Sequence, residues 1–91
     1  MLGDMVRDRR VELDIKGCKL ATLVGVSTSY VTQIEKNSVI PSPAVVYKIA
    51  DALSIHAMDL VHAAKEDKFA WAKEQIEKEY RRARMIYLAS K

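Results

Sequence analysis

The sequence predicts an all-α protein of five short helices with an additional long C-terminal helix. Three observations carry this reading. Apolar residues recur at three- and four-residue spacing through short segments, the mark of helices that each bury one face. Turn-forming residues interrupt the pattern at Gly25, at residues 37–41 and at residues 54–56. After Lys65 the chain contains neither Gly nor Pro and is rich in helix formers, so one long helix is expected there.

Helix 1 is expected over residues 2–13. Leu2, Met5 or Val6, Val11 and Leu13 supply its apolar side, and Asp4, Arg7, Asp8 and Glu12 its charged side. The pattern breaks at residues 14–17 and restarts in a two-turn helix 2 over residues 19–24, with Leu20, Ala21, Leu23 and Val24. Gly25 stands where a helix C-terminus favours positive φ, and Ser27 is a good N-cap for the next helix. Helix 3, residues 28–36, buries Val31 and Ile34 and turns Thr28, Ser29, Thr32 and Gln33 elsewhere. After a loop, Ser42 followed by Pro43 is an N-cap followed by proline at the first helical position. Helix 4 then carries Val45, Val46, Ile49, Ala52 and Leu53 inward, and helix 5 spans residues 57–64, with the long helix able to fuse to it. The division expected is a domain over 1–65 and a C-terminal helix over 66–91.

With 91 residues, 49% hydrophobic and 30% charged, the chain suits one folded domain plus an appendage. No run approaches the ~18 apolar residues that span a bilayer, and the N-terminus lacks a basic segment followed by an apolar one, so a cytoplasmic protein is expected. Cys18 is the single cysteine and reads as an ordinary packing residue. His56 and His62, six apart, do not align on one helix face, so neither a metal nor another cofactor is expected. No nucleophile, base and orienting group can be assembled, and no glycine loop can cradle a phosphate, so no catalytic residue is assigned and an enzyme is not expected. Net charge is +3: residues 1–65 hold eight bases and seven acids, and residues 66–91 seven bases and five acids. Charge alone therefore does not indicate nucleic acid, and the functional reading rests on pattern.

The informative unit is LATLVGVSTSYVTQIEKN, residues 20–37. Ala21 keeps helix 2 thin where helix 3 crosses it, Gly25 lets the chain reverse, and Val26 fills the corner. Two helices joined in this way cross at about 90 to 120 degrees, which lets the second project from the body. An α-helix fits the major groove of B-DNA, about 12 Å wide, and the projecting face here carries hydrogen-bonding groups with Glu35 as the helix's one acid. Tyr30 has two readings, packing against helix 2 or placing its hydroxyl on a phosphate.

In these residues the chain closely resembles the phage repressor and Cro family, also called the xenobiotic response element family of helix-turn-helix regulators. The resemblance spans residues 2–64 and rests on Leu20, Ala21, Gly25, Val26 and Ser27, on the SYVTQIE run from Ser29 to Glu35, on the PSP start of helix 4, and on the IADAL run from Ile49 to Leu53. It implies a five-helix repressor-like helix-turn-helix domain that binds double-stranded DNA sequence-specifically, with repression as the expected outcome. It also implies a structural ion pair between Arg10 and Glu35. Thr28, Ser29, Thr32 and Gln33 match the family's base-reading positions, and Gly17, Lys36, Asn37 and Ser38 its phosphate contacts. Gln33 suits a bidentate contact to adenine, and the threonine methyls suit thymine methyls. The chain departs from the family at Gly17, where a glutamine is usual, and at Lys16 and His56, where Ser or Thr caps are usual. The His56 departure is expected to weaken the start of helix 5.

On the C-terminal helix Phe69, Ala72, Ile76, Ala83 and Ile86 fall near heptad spacing, with Tyr80 and Tyr87 beside them, and residues 85–89 are apolar all round. Two readings stand. Phe69 and Trp71 can pack back on the domain, or the helix is an arm for dimerisation or for a protein partner. DNA geometry favours a homodimer, because two-fold proteins reach successive major grooves about 34 Å apart. The competing function is a protein-binding regulator of the antitoxin or anti-repressor type, docking its partner through this helix.

Overall fold

The computed structural model describes residues 1–90 and contains α1 (Leu2–Glu12), α2 (Gly17–Val24), α3 (Thr28–Glu35), α4 (Pro43–Leu53) and α5 (Ala57–Ala89), with no strand among the described residues. The expected helix 5 and the C-terminal helix are one element. Ala64, Lys65 and Glu66 bridge them, and all three are strong helix formers. At 33 residues α5 is about 50 Å long, which accounts for the 60 × 25 × 21 Å dimensions of the molecule.

Local chemistry sets the boundaries. Gly25 adopts φ +83°, and its N–H and that of Val26 donate to the Ala21 carbonyl at 2.8 and 3.0 Å, closing α2. Ser27 Oγ accepts the Tyr30 N–H at 3.0 Å and opens α3. Pro43 opens α4, behind Ser42 in extended conformation. α2 begins at Gly17, two residues earlier than the apolar pattern suggests, because Lys16 takes the extended N-cap conformation without a side-chain cap. The start of α5 is better held than the sequence implies: His56 Nδ1 accepts the Met58 N–H at 3.3 Å, so imidazole does the work of the missing Ser or Thr.

All five helices contribute to one core, including Leu2 and Val6, Leu20 and Val24, Val31 and Ile34, Val46, Ile49 and Leu53, and Leu60. Each of these side chains contributes about 1.5 to 3 kcal/mol by leaving water. Three apolar residues expected inside are not: Val11 is 62% exposed, Leu23 52% and Leu13 38%. Val11 lies nine positions after Leu2, about half a turn away from the buried stripe. Arg9 and Arg10 are half-buried near the end of α1, with their guanidiniums satisfied. Arg9 Nε donates to the Leu53 carbonyl at 2.9 Å and so caps the C-terminus of α4.

The N-terminus of α1 is tied down from two directions. Leu2 N–H donates to Asp67 Oδ2 of α5 at 3.0 Å, and Gly3 N–H donates to Asn37 Oδ1, just after α3, at 3.1 Å. Gly3 is required here for space. A Cβ would overlap the Ile34 carbonyl oxygen and lie 2.6 Å from Asn37 Oδ1 and 2.9 Å from the Glu35 carbonyl.

Candidate nucleic-acid interface

α2 and α3 pack on one another and α1 braces α3, so the orientation of α3 is set by buried contacts on its inner side. At about 100° per residue, Tyr30, Val31, Ile34 and Glu35 fill one arc of the helix, and Thr28, Ser29, Thr32 and Gln33 fill the opposite arc of about 140°. Val31 and Ile34 are 2% and 1% exposed, whereas the four polar residues are all exposed. Tyr30 is half-buried against the core, and its backbone N–H is the one held by Ser27. Thr32 Oγ1 donates to the Thr28 carbonyl at 3.1 Å, which leaves its methyl and lone pairs to face outward.

Glu35 belongs to the interior. Arg10 Nε and Nη2 donate to its Oε2 and Oε1 at 2.8 and 2.9 Å, a fork-to-fork pair, while Arg10 Nη1 donates to the Ile15 carbonyl at 2.8 Å. The side chains are 19% and 10% exposed. Hydrogen bonding to Glu35 raises the Arg10 pKa above the usual guanidinium value; partial burial opposes this and the carboxylate's charge reinforces it. The sole acid of α3 is thereby neutralised and turned away from the polar arc.

Around this arc, Gly17 is the first residue of α2, and a Cβ placed on it would meet nothing within 4 Å. The Gly17 and Cys18 N–H groups make no hydrogen bond to any described residue, and the positive end of the helix dipole coincides with them. Beyond α3, Lys36 and Ser38 are exposed, and the Ser38 N–H donates to the Gln33 carbonyl at 2.9 Å. Asn37 sits at φ +59° with Oδ1 committed to Gly3, so only its amide NH₂ remains to reach outward. Lys16 and Lys19, which the sequence reading did not assign, are exposed on either side of Gly17; two lysines three apart at a helix start were the available signal. Among the described residues no ion pair engages Lys16, Lys19 or Lys36, whereas Arg7, Arg9 and Arg10 are all paired with acids.

Cys18, read as a packing residue, is exposed at the second position of α2. The C-terminal residues Phe69, Ile76, Tyr80, Ile86 and Tyr87 are 53 to 75% exposed, and Trp71 is 61% exposed, so Phe69 and Trp71 are not buried against the domain. Trp71 nevertheless faces the domain side, lining an open groove with Met1, Val39 and Ile40. Among the described residues no helix is long and apolar enough to cross a membrane, and no group of His, Cys, Asp or Glu could hold a metal ion.

The helix-turn-helix family model matches residues 6–60, more than half of the chain. Among solved structures, the crystal structure of the clp gene regulator ClgR from Corynebacterium glutamicum is similar, with a TM-score of 0.63 and 22% identity over 85% of this chain and 83% of that one. At that identity the likeness is one of fold. No curated protein matches the chain. The matched segment contains α2, the Gly25 turn and α3 whole, and the family is one of DNA-binding regulators. The chain belongs to the helix-turn-helix family of DNA-binding transcription regulators, of the phage repressor type.

Proposed function

We propose that the chain is a cytoplasmic, sequence-specific repressor. It binds double-stranded DNA as a homodimer, with the helix of residues 28–36 in the major groove, and blocks a promoter by occupying it. The observation that supports this most is the division of α3: a fully polar, acid-free outer arc on a helix whose inner arc is locked by Val31, Ile34 and the Arg10–Glu35 pair. Thr28, Ser29, Thr32 and Gln33 read base edges. Gly17, Lys36, Asn37 and Ser38 hold phosphates, with Lys16 and Lys19 adding charge beside Gly17; Tyr30 serves chiefly as a packing residue. Residues 1–65 form the DNA-binding unit and residues 66–91 the arm that joins two copies.

Selection of bound sequences from a random duplex pool tests this reading. The expected result is a two-fold related pair of half-sites with centres about 34 Å apart, or a multiple of that spacing. Recovery of no sequence, with binding that does not weaken as salt rises, would reject it, since phosphate contacts make affinity fall with salt. The exposed apolar side of α5 supports one further reading, a regulator of the antitoxin or anti-repressor type whose arm docks another protein. The two part on the same measurement, because the second predicts no selected sequence.

A further inference from the structure

The arm of α5 carries a stripe that reads almost the same in both directions. Phe69, Ala72, Ile76, Tyr80, Ala83 and Tyr87 follow one another at intervals of three and four residues, close to 3.6 per turn, so they form a straight line along the helix. In order they are large, small, large, large, small, large. On the helical wheel this line lies opposite Leu60, Ala63 and Asp67, the side by which α5 packs on the domain and caps α1. Ile86 falls at its edge, and Tyr87 takes the place that strict heptad spacing would give to Ile86.

We propose that this stripe pairs with the same stripe of a second copy, and that the two arms run antiparallel with their two-fold axis near Lys78. The proposal rests on the homodimer reading above and specifies its geometry. In that register Phe69 meets Tyr87 of the other copy, Ile76 meets Tyr80, and the alanines meet near each other, so large residues fill each layer where the backbones diverge and small ones let them close. Exposed by 53 to 75%, the four large residues offer on the order of 500 Å² per arm. The stems of flanking Lys73, Arg84 and Ile86 bring this toward the roughly 800 Å² per partner of a stable interface.

Domain spacing selects the direction. Antiparallel pairing places Glu66 of each arm, where the helix leaves its domain, roughly 36 Å apart at 1.5 Å per residue. That matches the spacing of about 34 Å between successive major grooves, whereas parallel arms would crowd both domains at one end.

Spin labels on a Cys18→Ser background read the direction. Lys68→Cys and Arg82→Cys, each labelled in the full chain, are expected to give unequal separations of about 30 and 12 Å along the arm. Equal separations near 10 Å at both sites would overturn the antiparallel arrangement and leave the dimer standing. Light scattering tests the dimer itself. The unmodified chain is expected at twice its 10.3 kDa mass, and Ile76→Glu with Tyr80→Glu at that mass, with unchanged helicity. A monomeric unmodified chain would overturn the dimer reading, and a dimeric double variant would overturn the stripe as the interface.

Discussion

Arg10 clasps Glu35 across the body of the domain with two parallel hydrogen bonds of 2.8 and 2.9 Å, joining the last turn of α1 to the last residue of the helix that faces outward. The pair sets the height and tilt of α3 at its C-terminal end, while Ser27 and Gly25 set its beginning. Because hydrogen bonding holds the Arg10 pKa above its ordinary value, its share of stability is complete below the unfolded value and is lost only as pH rises through the higher folded one. Guanidinium titration therefore leaves this clasp intact throughout the neutral range.

Removing one partner leaves the other buried. Arg10→Ala strands a carboxylate that is 10% exposed, and an unfolding free energy lower by about 3 to 5 kcal/mol is expected in urea titration. Arg10→Met combined with Glu35→Leu replaces the pair by apolar volume. This double variant is expected to recover most of the loss, falling short by about 1 kcal/mol because the Ile15 carbonyl loses the Nη1 donor. Equal losses in the single and double variants would show that packing, and not the stranded charge, sets the cost.

Gly3 provides a second test of how α1 meets α3. Its φ is ordinary, so the constraint is space: any side chain collides with the backbone carbonyls of Ile34 and Glu35. Gly3→Ala should destabilise the chain by about 1 to 3 kcal/mol through forced backbone shifts, despite alanine's better helix propensity. In a domain this small that lowers the melting temperature by about 4 to 8 °C per kcal/mol. A rise in melting temperature would mean that α1 can slide away from α3 without loss.

The turn at Gly25, the Ser27 cap, the Pro43 start and the inward Val31 and Ile34 are legible in the sequence because each depends on a few adjacent residues. Gly3, Asn37, Asp67 and Arg9 are not legible in that way. Their roles are hydrogen bonds or close approaches between positions tens of residues apart, and nothing local distinguishes Asn37 the helix brace from Asn37 the phosphate contact. Val11 and Leu13 misled for a related reason: the buried side of α1 runs on into arginines whose charged ends find partners, so hydrophobic letters alone trace the wrong face. The four polar residues of α3 were readable as an outer face; that Thr32 spends its proton on Thr28 was not.

That hydroxyl has a consequence for base recognition. With its hydrogen on the Thr28 carbonyl, Thr32 presents a methyl group, and its expected contact is with a thymine methyl. Thr32→Val keeps that methyl and is expected to bind the selected site within about twofold of the parent, whereas Thr32→Ser removes it and discriminates less at one position. Gln33→Ala is expected to lose about 1 to 3 kcal/mol and to relax a different position, one where adenine is preferred. Titration of a panel of single-substituted sites checks all three; uniform weakening across the panel would place these side chains on phosphates instead.

Gly17 offers a gain-of-affinity test. No neighbour within 4 Å would meet a Cβ there, and the adjacent N–H groups already point where a phosphate can sit, so Gly17→Gln adds a donor without disturbing α2. A hydrogen bond to a charged group is worth about 1.5 to 3 kcal/mol, and tighter binding of tenfold or more is expected. Glutamine is neutral, so the dependence of affinity on salt should not change. Lys16, Lys19 and Lys36 in two copies predict a slope of about −5 for log K against log salt concentration, and Lys36→Ala lowers its magnitude by about 2 in the dimer. Gly17→Gln must therefore shift the whole salt line upward with its slope intact, and Lys36→Ala must tilt it. If Gly17→Gln leaves affinity unchanged at every salt concentration, the start of α2 does not touch the backbone of DNA, and α3 enters the groove without that anchor.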